Sequence, residues 1–225
     1  MTDPLSFRIK KKIDRYIHDP IVALIILPFF LILKILPFKI SSLICGSLVY
    51  LIAPFTKYQK RVLNNLNIAF PKKKEAEKIK ISKRFWFNFG QIIGELPHID
   101  KIISSKKILI SGHKKIQKGP AILIGAHLAN WEFLLRVGEM SGRRVSFVYR
   151  PINNWILNKL QFSRNSKINA DFFKKGRAAA IGMANKLKKG EVIGLTNDQI
   201  LREGIMIPFF GKKTPTPQAA AIMSL

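Results

Sequence analysis

Between Ile21 and Phe55 the only charged side chains are Lys34 and Lys39, and Pro28, Pro37 and Pro54 punctuate the stretch. A segment so apolar reads as membrane-embedded. Its first run, Ile21 to Leu33, extends to Phe38 if Lys34 snorkels, just short of the roughly 20 residues that span a bilayer. The second run, Ile40 to Phe55, is shorter and includes Ser41, Ser42, Gly46 and Ser47. A helical hairpin, one spanning helix with an interfacial helix, and a monotopic anchor all fit this pattern. Arg8, Lys10, Lys11, Lys12 and Arg15 precede the segment and Lys57, Lys60 and Arg61 follow it, so the positive-inside rule assigns no orientation. A cleaved signal peptide is disfavoured, because the stretch is too long, starts late and lacks a small-residue cleavage site.

The other bounds come from size and charge. A chain of 225 residues can bury one sizeable core, or one core plus a small appendage, without a metal or disulfide staple. Its single cysteine, Cys45, excludes a disulfide framework and a cysteine-based zinc site. With 48% hydrophobic residues it is not a disordered polycation, although 39 Lys+Arg against 13 Asp+Glu leave a formal charge of +26. The excess is spread along the chain. It attracts polyanions of any kind, whether nucleic acid, an anionic bilayer or an acidic protein.

Residues 1–56 read as a basic segment with a membrane anchor, and residues 57–225 as an α/β domain. Lys72 to Lys101 has the period of an amphipathic helix whose apolar side carries Phe85, Trp86, Phe89, Ile92, Ile93 and Leu96. Strand candidates follow at Lys107 to Ser111, Ala121 to Gly125, Val145 to Tyr149, Val192 to Thr196 and Ile205 to Phe209. Helix candidates lie at Trp131 to Met140, Trp155 to Phe162 and Arg177 to Lys188. Alternation of this kind places a ligand site at the carboxyl ends of the strands.

The chemistry-bearing segment is Gly125-Ala-His-Leu-Ala-Asn-Trp-Glu132, where a buried-type strand ends at a histidine and a helix begins. Residues five apart on a helix lie about 140° apart, so His127 and Glu132 meet only if His127 precedes the helix and folds back over its first turn. Glu132 then fixes the imidazole tautomer, and the other ring nitrogen takes a proton from a hydroxyl. Equally, His127 closes a strand end while Glu132 is a solvated first-turn acid favoured by the helix dipole. Four His and 13 acids among 225 residues make the spacing alone weak. Arg150 ends a strand and suits a phosphate or an oxyanion, or is a surface arginine. Asn130 caps the following helix or binds substrate. Asp198 and Gln199 end a strand on the side where sites form, or belong to loop structure. Arg164 is a weaker phosphate candidate.

These segments resemble, in order, those of the lipid A late acyltransferases, the lauroyl and myristoyl transferases of Gram-negative bacteria. Gly125 to Glu132 resembles the family's His-x4-acid motif. Asn64-Asn65-Leu66 with Ala69-Phe70-Pro71, and Tyr149-Arg150-Pro151 with Asn153-Asn154, resemble two further elements. Gly190-Glu191-Val192 leading to Asp198-Gln199, then Pro208-Phe-Phe-Gly211 with Thr216, resemble the rest. The resemblance covers about Pro20 to the end. The family runs several tens of residues further, so a missing C-terminal part is expected.

What the resemblance implies is a glycerolipid-acyltransferase-like mixed sheet flanked by helices, with His127 as general base and Glu132 as its orienter. It implies acyl transfer from acyl carrier protein to a hydroxyacyl chain of an anionic lipid A precursor, for which Arg150, Asn130, Arg164, Asp198 and Gln199 are the substrate-contact candidates read from the residues themselves. No metal and no organic cofactor are implied. The expected location is the bacterial inner membrane, with the site at its cytoplasmic face. A glycerophospholipid acyltransferase is the near alternative, but it typically has Asn-His at the dyad and an EGTR block, whereas Ala126 precedes His127 here. Nucleic-acid binding is the alternative of another class. It is favoured by a pI near 10.5, but no helix-turn-helix, zinc-finger or RNA-recognition motif is present and the apolar run is left unexplained.

Overall fold

Pro37 divides the apolar run. In a computed structural model, which describes residues 12–225 apart from 106–107, 109–110, 113–115, 117, 137, 139–140 and 166–167 and the side chains of 162–165, helix α1 (Asp19–Ile35) follows a π-helical turn at Asp14–His18. Helix α2 (Phe38–Ile52) begins directly after Pro37. The stretches Asp14–Ile35 and Phe38–Phe55 are each long and apolar enough to cross a membrane. Leu24, Ile25, Leu31 and Ile35 on the first, and Leu43, Leu51 and Ile52 on the second, are exposed. These helices suit a membrane by length and composition alone.

Next come α3 (Lys57–Ala69) and α4 (Glu75–Glu95), a 3-10 turn at Leu96–His98 and α5 (Ile99–Ser104). The amphipathic helix expected over Lys72 to Lys101 is thus interrupted at Pro97, whose ring suits the start of a tight turn but not a helix interior. Strands β1 (Ala121–Gly125), β2 (Val145–Tyr149), β3 (Ala170–Lys174) and β4 (Val192–Thr196) alternate with helices α6 (Trp155–Asn165), between β2 and β3, and α7 (Arg177–Lys188), between β3 and β4. The chain closes with β5 (Ile205–Phe209), β6 (Lys212–Thr216) and α8 (Ala219–Ser224). The strand candidate at Lys107 to Ser111 lies largely outside the described residues.

The chain gathers into two compact units. One holds the described residues of Met1–Ile32, Ser111–Leu123 and Leu135–Leu195. The four-stranded sheet runs in the order β1-β4-β2-β3, and β2 pairs in parallel with both β3 and β4, with Val145 opposite Ala170 and Val192. Val145, Phe147 and Val192 form its buried centre, against Leu123, Leu135 and Phe172. Asn154 caps α6, its Oδ1 accepting the Ile156 and Leu157 N–H groups, while its Nδ2 donates to the Asp19 carbonyl at 2.8 Å.

The second unit comprises the described residues of Leu33–Ile110, Ile124–Leu134 and Thr196–Leu225. Its helical part is built on close contact between α2 and α4. A methyl group at Gly90 would lie 2.3 Å from the Cys45 carbonyl oxygen, and one at Gly94 would lie 2.3 Å from that of Ser41. The facing stripe of α2 is correspondingly small: Ser41, Ser42, Cys45 and Gly46 are all buried. Trp86 Nε1 donates to Gln59 Oε1 at 2.6 Å, tying α4 to α3. Because Pro37 has no N–H, the Leu33 carbonyl lacks its i+4 donor. Ser41 Oγ and His98 Nε2, each 2.7 Å away, donate to it instead, and both side chains are fully buried. In the β5–β6 hairpin Phe209 pairs with Lys212, and the two turn residues, Phe210 and Gly211, have φ of 48° and 72°.

Candidate active site

The segments after β1 and β4 meet. Asn197 N–H donates to the Gly125 carbonyl at 3.2 Å, continuing the pairing one step past the strands. One residue on, the Asp198 carboxylate is doubly engaged: Oδ2 accepts the His127 backbone N–H at 2.6 Å and Oδ1 accepts Nδ1–H of the ring at 2.8 Å. Gln199 Nε2 lies 3.2 Å from His127 Nε2. Both ring nitrogens therefore have partners contributed by consecutive residues.

The electrostatics select one tautomer. Partial burial pushes the Asp198 carboxyl up, but the bonds from the His127 ring and backbone, with the attraction of the imidazole, together leave it below its ordinary value. An ionised carboxylate only accepts, so Nδ1 must donate to it. In the neutral ring Nε2 is then left with a lone pair, and the Gln199 amide donates to that lone pair. A substrate hydroxyl placed where the Gln199 amide sits would find a proton acceptor within hydrogen-bond reach. The His127 side chain keeps 28% of its exposure, so a substrate can reach it.

Aromatic packing holds the ring from the other side. His127 lies 5.2 Å from the Trp131 ring centre, Trp131 lies 6.3 Å from Phe89, and Phe89 lies 6.3 Å from Trp86. Phe89 and Trp86 belong to the apolar stripe of α4. Between His127 and Trp131 the backbone is unusual: Ala129 has φ of 46°, a left-handed conformation that a side-chain-bearing residue adopts only when its neighbours fix it. Asn130, which follows, is buried, and its Nδ2 donates to Glu95 Oε2 at 2.8 Å.

Of the residues read from the sequence, His127, Asp198 and Gln199 come together, with Asn130 and Glu132 in the adjoining turn. The geometry gives the Nδ1 position to Asp198 rather than to Glu132. Glu132 lies in the 3-10 turn Trp131–Arg136, where its backbone N–H donates to Asn130 Oδ1 at 3.3 Å. The helix expected at Trp131 to Met140 is this 3-10 turn over its first six residues, and residues 137, 139 and 140 are outside the described set. Arg150 is exposed and directly follows β2, in the other unit. Arg164 lies in α6, and its side chain is outside the described set. Sequence reasoning missed Glu95, Ser42 and Trp131 altogether. It also placed Asp198 among substrate contacts rather than on the imidazole.

A comparison with curated proteins returned no match. The family model described as bacterial lipid A biosynthesis acyltransferase matches residues 8–225, nearly the whole chain and all of the segment from His127 to Gln199. A histidine oriented at Nδ1 by a carboxylate, just past the end of β1, belongs here to a chain that is a member of the bacterial lipid A biosynthesis acyltransferases.

Proposed function

We propose that the chain transfers a fatty acyl group from an acyl carrier protein thioester to the hydroxyl of a hydroxyacyl chain on a lipid A precursor, with His127 as the general base. The observation carrying this reading is the His127 ring itself: Nδ1 is committed to Asp198, and Nε2, with the Gln199 amide 3.2 Å away, is left as the proton acceptor. As the hydroxyl oxygen attacks the thioester carbonyl, its proton passes to Nε2, and Asp198 stabilises the imidazolium that forms. The tetrahedral intermediate collapses by expelling the carrier thiolate, which takes the proton back from Nε2. Ester and free thiol leave, and the imidazole is neutral again. Asp198 is the orienting carboxylate in this scheme. The resemblance gives that role to Glu132, and the two assignments are separable by experiment.

The other parts follow from charge and from the family. Both proposed substrates are anionic, one a phosphorylated glycolipid and the other an acidic carrier, and a formal charge of +26 would draw each in. Arg150 is assigned to a phosphate or the oxyanion, from its place at a strand end, and Arg164 to a phosphate. The proposed setting is the cytoplasmic face of the inner membrane, where acyl carrier protein and lipid precursor are both available.

The test is acyl transfer by membranes bearing the chain, with a tetra-acylated lipid A precursor and a series of acyl-carrier-protein thioesters. Wild type should add one acyl chain, and His127→Ala should lose about two or more orders of magnitude. Full activity in His127→Ala would sink the mechanism. Coenzyme A thioesters turning over faster than carrier thioesters would overturn the donor assignment.

A further inference from the structure

We infer that Glu95, at the end of α4, is a positioning residue for His127, acting through Asn130. The inference rests on the general-base reading of His127. Glu95 has a different partner on each carboxylate oxygen: Ser42 Oγ of α2 donates to Oε1 at 3.1 Å, and Asn130 Nδ2 donates to Oε2 at 2.8 Å. The Asn130 amide is thereby committed in one orientation. Its nitrogen faces an acceptor-only group, so its Oδ1 must face the other way, where it takes the Glu132 N–H at 3.3 Å. The Asn130 carbonyl accepts the Phe133 N–H at 3.3 Å, which starts the 3-10 turn.

The segment His127 to Asn130 is therefore clamped at both ends by carboxylates: Asp198 on His127 and Glu95 on Asn130. The left-handed Ala129 lies between the clamps. Released at Asn130, that residue can relax to an ordinary conformation and swing the imidazole off its line. Gly94, immediately before Glu95, permits the approach of α4 to α2 that brings Ser42 within reach. A line of hydrogen bonds thus runs from Ser42 of the apolar helix α2 through Glu95 to Asn130, and the backbone through Ala129 carries it on to the proposed base.

Charge complementarity supplies the test. Asn130→Asp sets a carboxylate against Glu95 and should lower kcat by about ten- to a hundredfold, with partial recovery as pH is lowered and the pair shares a proton. Adding Glu95→Gln to Asn130→Asp should restore kcat to within a fewfold of wild type, because the glutamine amide donates where the carboxylate only accepted. Glu95→Ala should depress kcat with little change in KM for the acyl donor. In parallel, the His127 ring nitrogen resonances, read by nitrogen-15 NMR in detergent micelles, should move in Asn130→Asp and Glu95→Ala and return in the double variant. A double variant no better than Asn130→Asp in both readouts overturns the inference. If His127→Ala proves fully active, the general-base reading falls, and the resonances alone still decide whether Glu95 positions the ring.

Discussion

Asp198 holds His127 twice, by the backbone N–H at 2.6 Å and by the ring Nδ1 at 2.8 Å, so one carboxylate fixes both the loop and the rotation of the imidazole. An amide cannot do both, because it has one accepting oxygen and the nitrogen beside it would face a second donor. Asp198→Asn is expected to lower kcat by about a hundredfold or more with the protein still folded. Glu132→Gln is expected to cost less. The pair is assayed side by side with acyl transfer, and the reverse order of damage would return the orienting role to Glu132.

Asp171 and Lys186 make a pH prediction for the sheet-bearing unit. Partial burial raises the Asp171 carboxyl, but hydrogen bonds from Lys186 at 2.7 Å and Arg144 at 2.6 Å outweigh it and leave the group below its ordinary 3.8. Its contribution to stability is therefore present above pH 3.8 and lost as pH falls through the lowered value. Lys186 is raised above 10.5, first by its bond to Asp171 and then by that to Glu191, so its contribution is present below 10.5 and lost as pH rises through the raised value. Thermal melts should show Asp171→Asn less stable than wild type by a constant margin from about pH 5 to about pH 9, narrowing on either side.

Gly90 and Gly94 have no room for a side chain. Gly90→Ala and Gly94→Ala each drive a methyl group into a backbone carbonyl of α2, which can yield only by parting the helices. Each is expected to destabilise by about 1–3 kcal/mol, visible as a lower unfolding temperature in detergent. Because Glu95 follows Gly94 directly, Gly94→Ala should reduce activity more than Gly90→Ala does.

Phe210 occupies a left-handed turn position that favours Asn or Gly. Phe210→Asn is expected to stabilise the hairpin by about 1 kcal/mol, measured as slower amide exchange across β5 and β6. Faster exchange would mean that the ring contributes more than its backbone strain costs.

The exposed apolar side chains of α1 and α2 predict that the chain stays with membranes in about 1 M salt and is released by detergent. A basic nucleic-acid-binding protein would do the opposite, leaving its partner as salt rises. Leu43→Glu with Leu51→Glu should shift the chain toward the soluble fraction.

What could be read in advance follows the range of the interactions involved. Strands β1, β2, β4 and β5 lie where their apolar runs put them, and α7 spans Arg177 to Lys188 as its pattern indicates. Strand β6 was invisible, because Lys212-Lys-Thr-Pro-Thr216 has no apolar run and is a strand only by pairing with β5. Strand β3, Ala170-Asp-Phe-Phe-Lys174, was missed because Asp171 and Lys174 break the apolar run that marks the other strands of its sheet. His127 was legible as a strand-end histidine. Its partner Asp198 was not, since the strand order β1-β4-β2-β3, which brings position 198 beside position 127, is nowhere written in local spacing. Glu95 was hidden for a different reason: in an amphipathic helix a single glutamate looks like any solvated face.

The corner at Pro37 has a consequence for assembly order. Two of the chain's most apolar helices adjoin a carbonyl that neither helix backbone can complete, and one of its donors, His98, arrives 65 residues downstream. An apolar surround does not tolerate a bare carbonyl, and Ser41 Oγ, on the second helix of the hairpin, supplies the first donor. The second donor, His98, is added only when the turn after α4 docks, so the corner's full hydrogen-bond complement ties the hairpin to the helix that precedes the proposed catalytic loop.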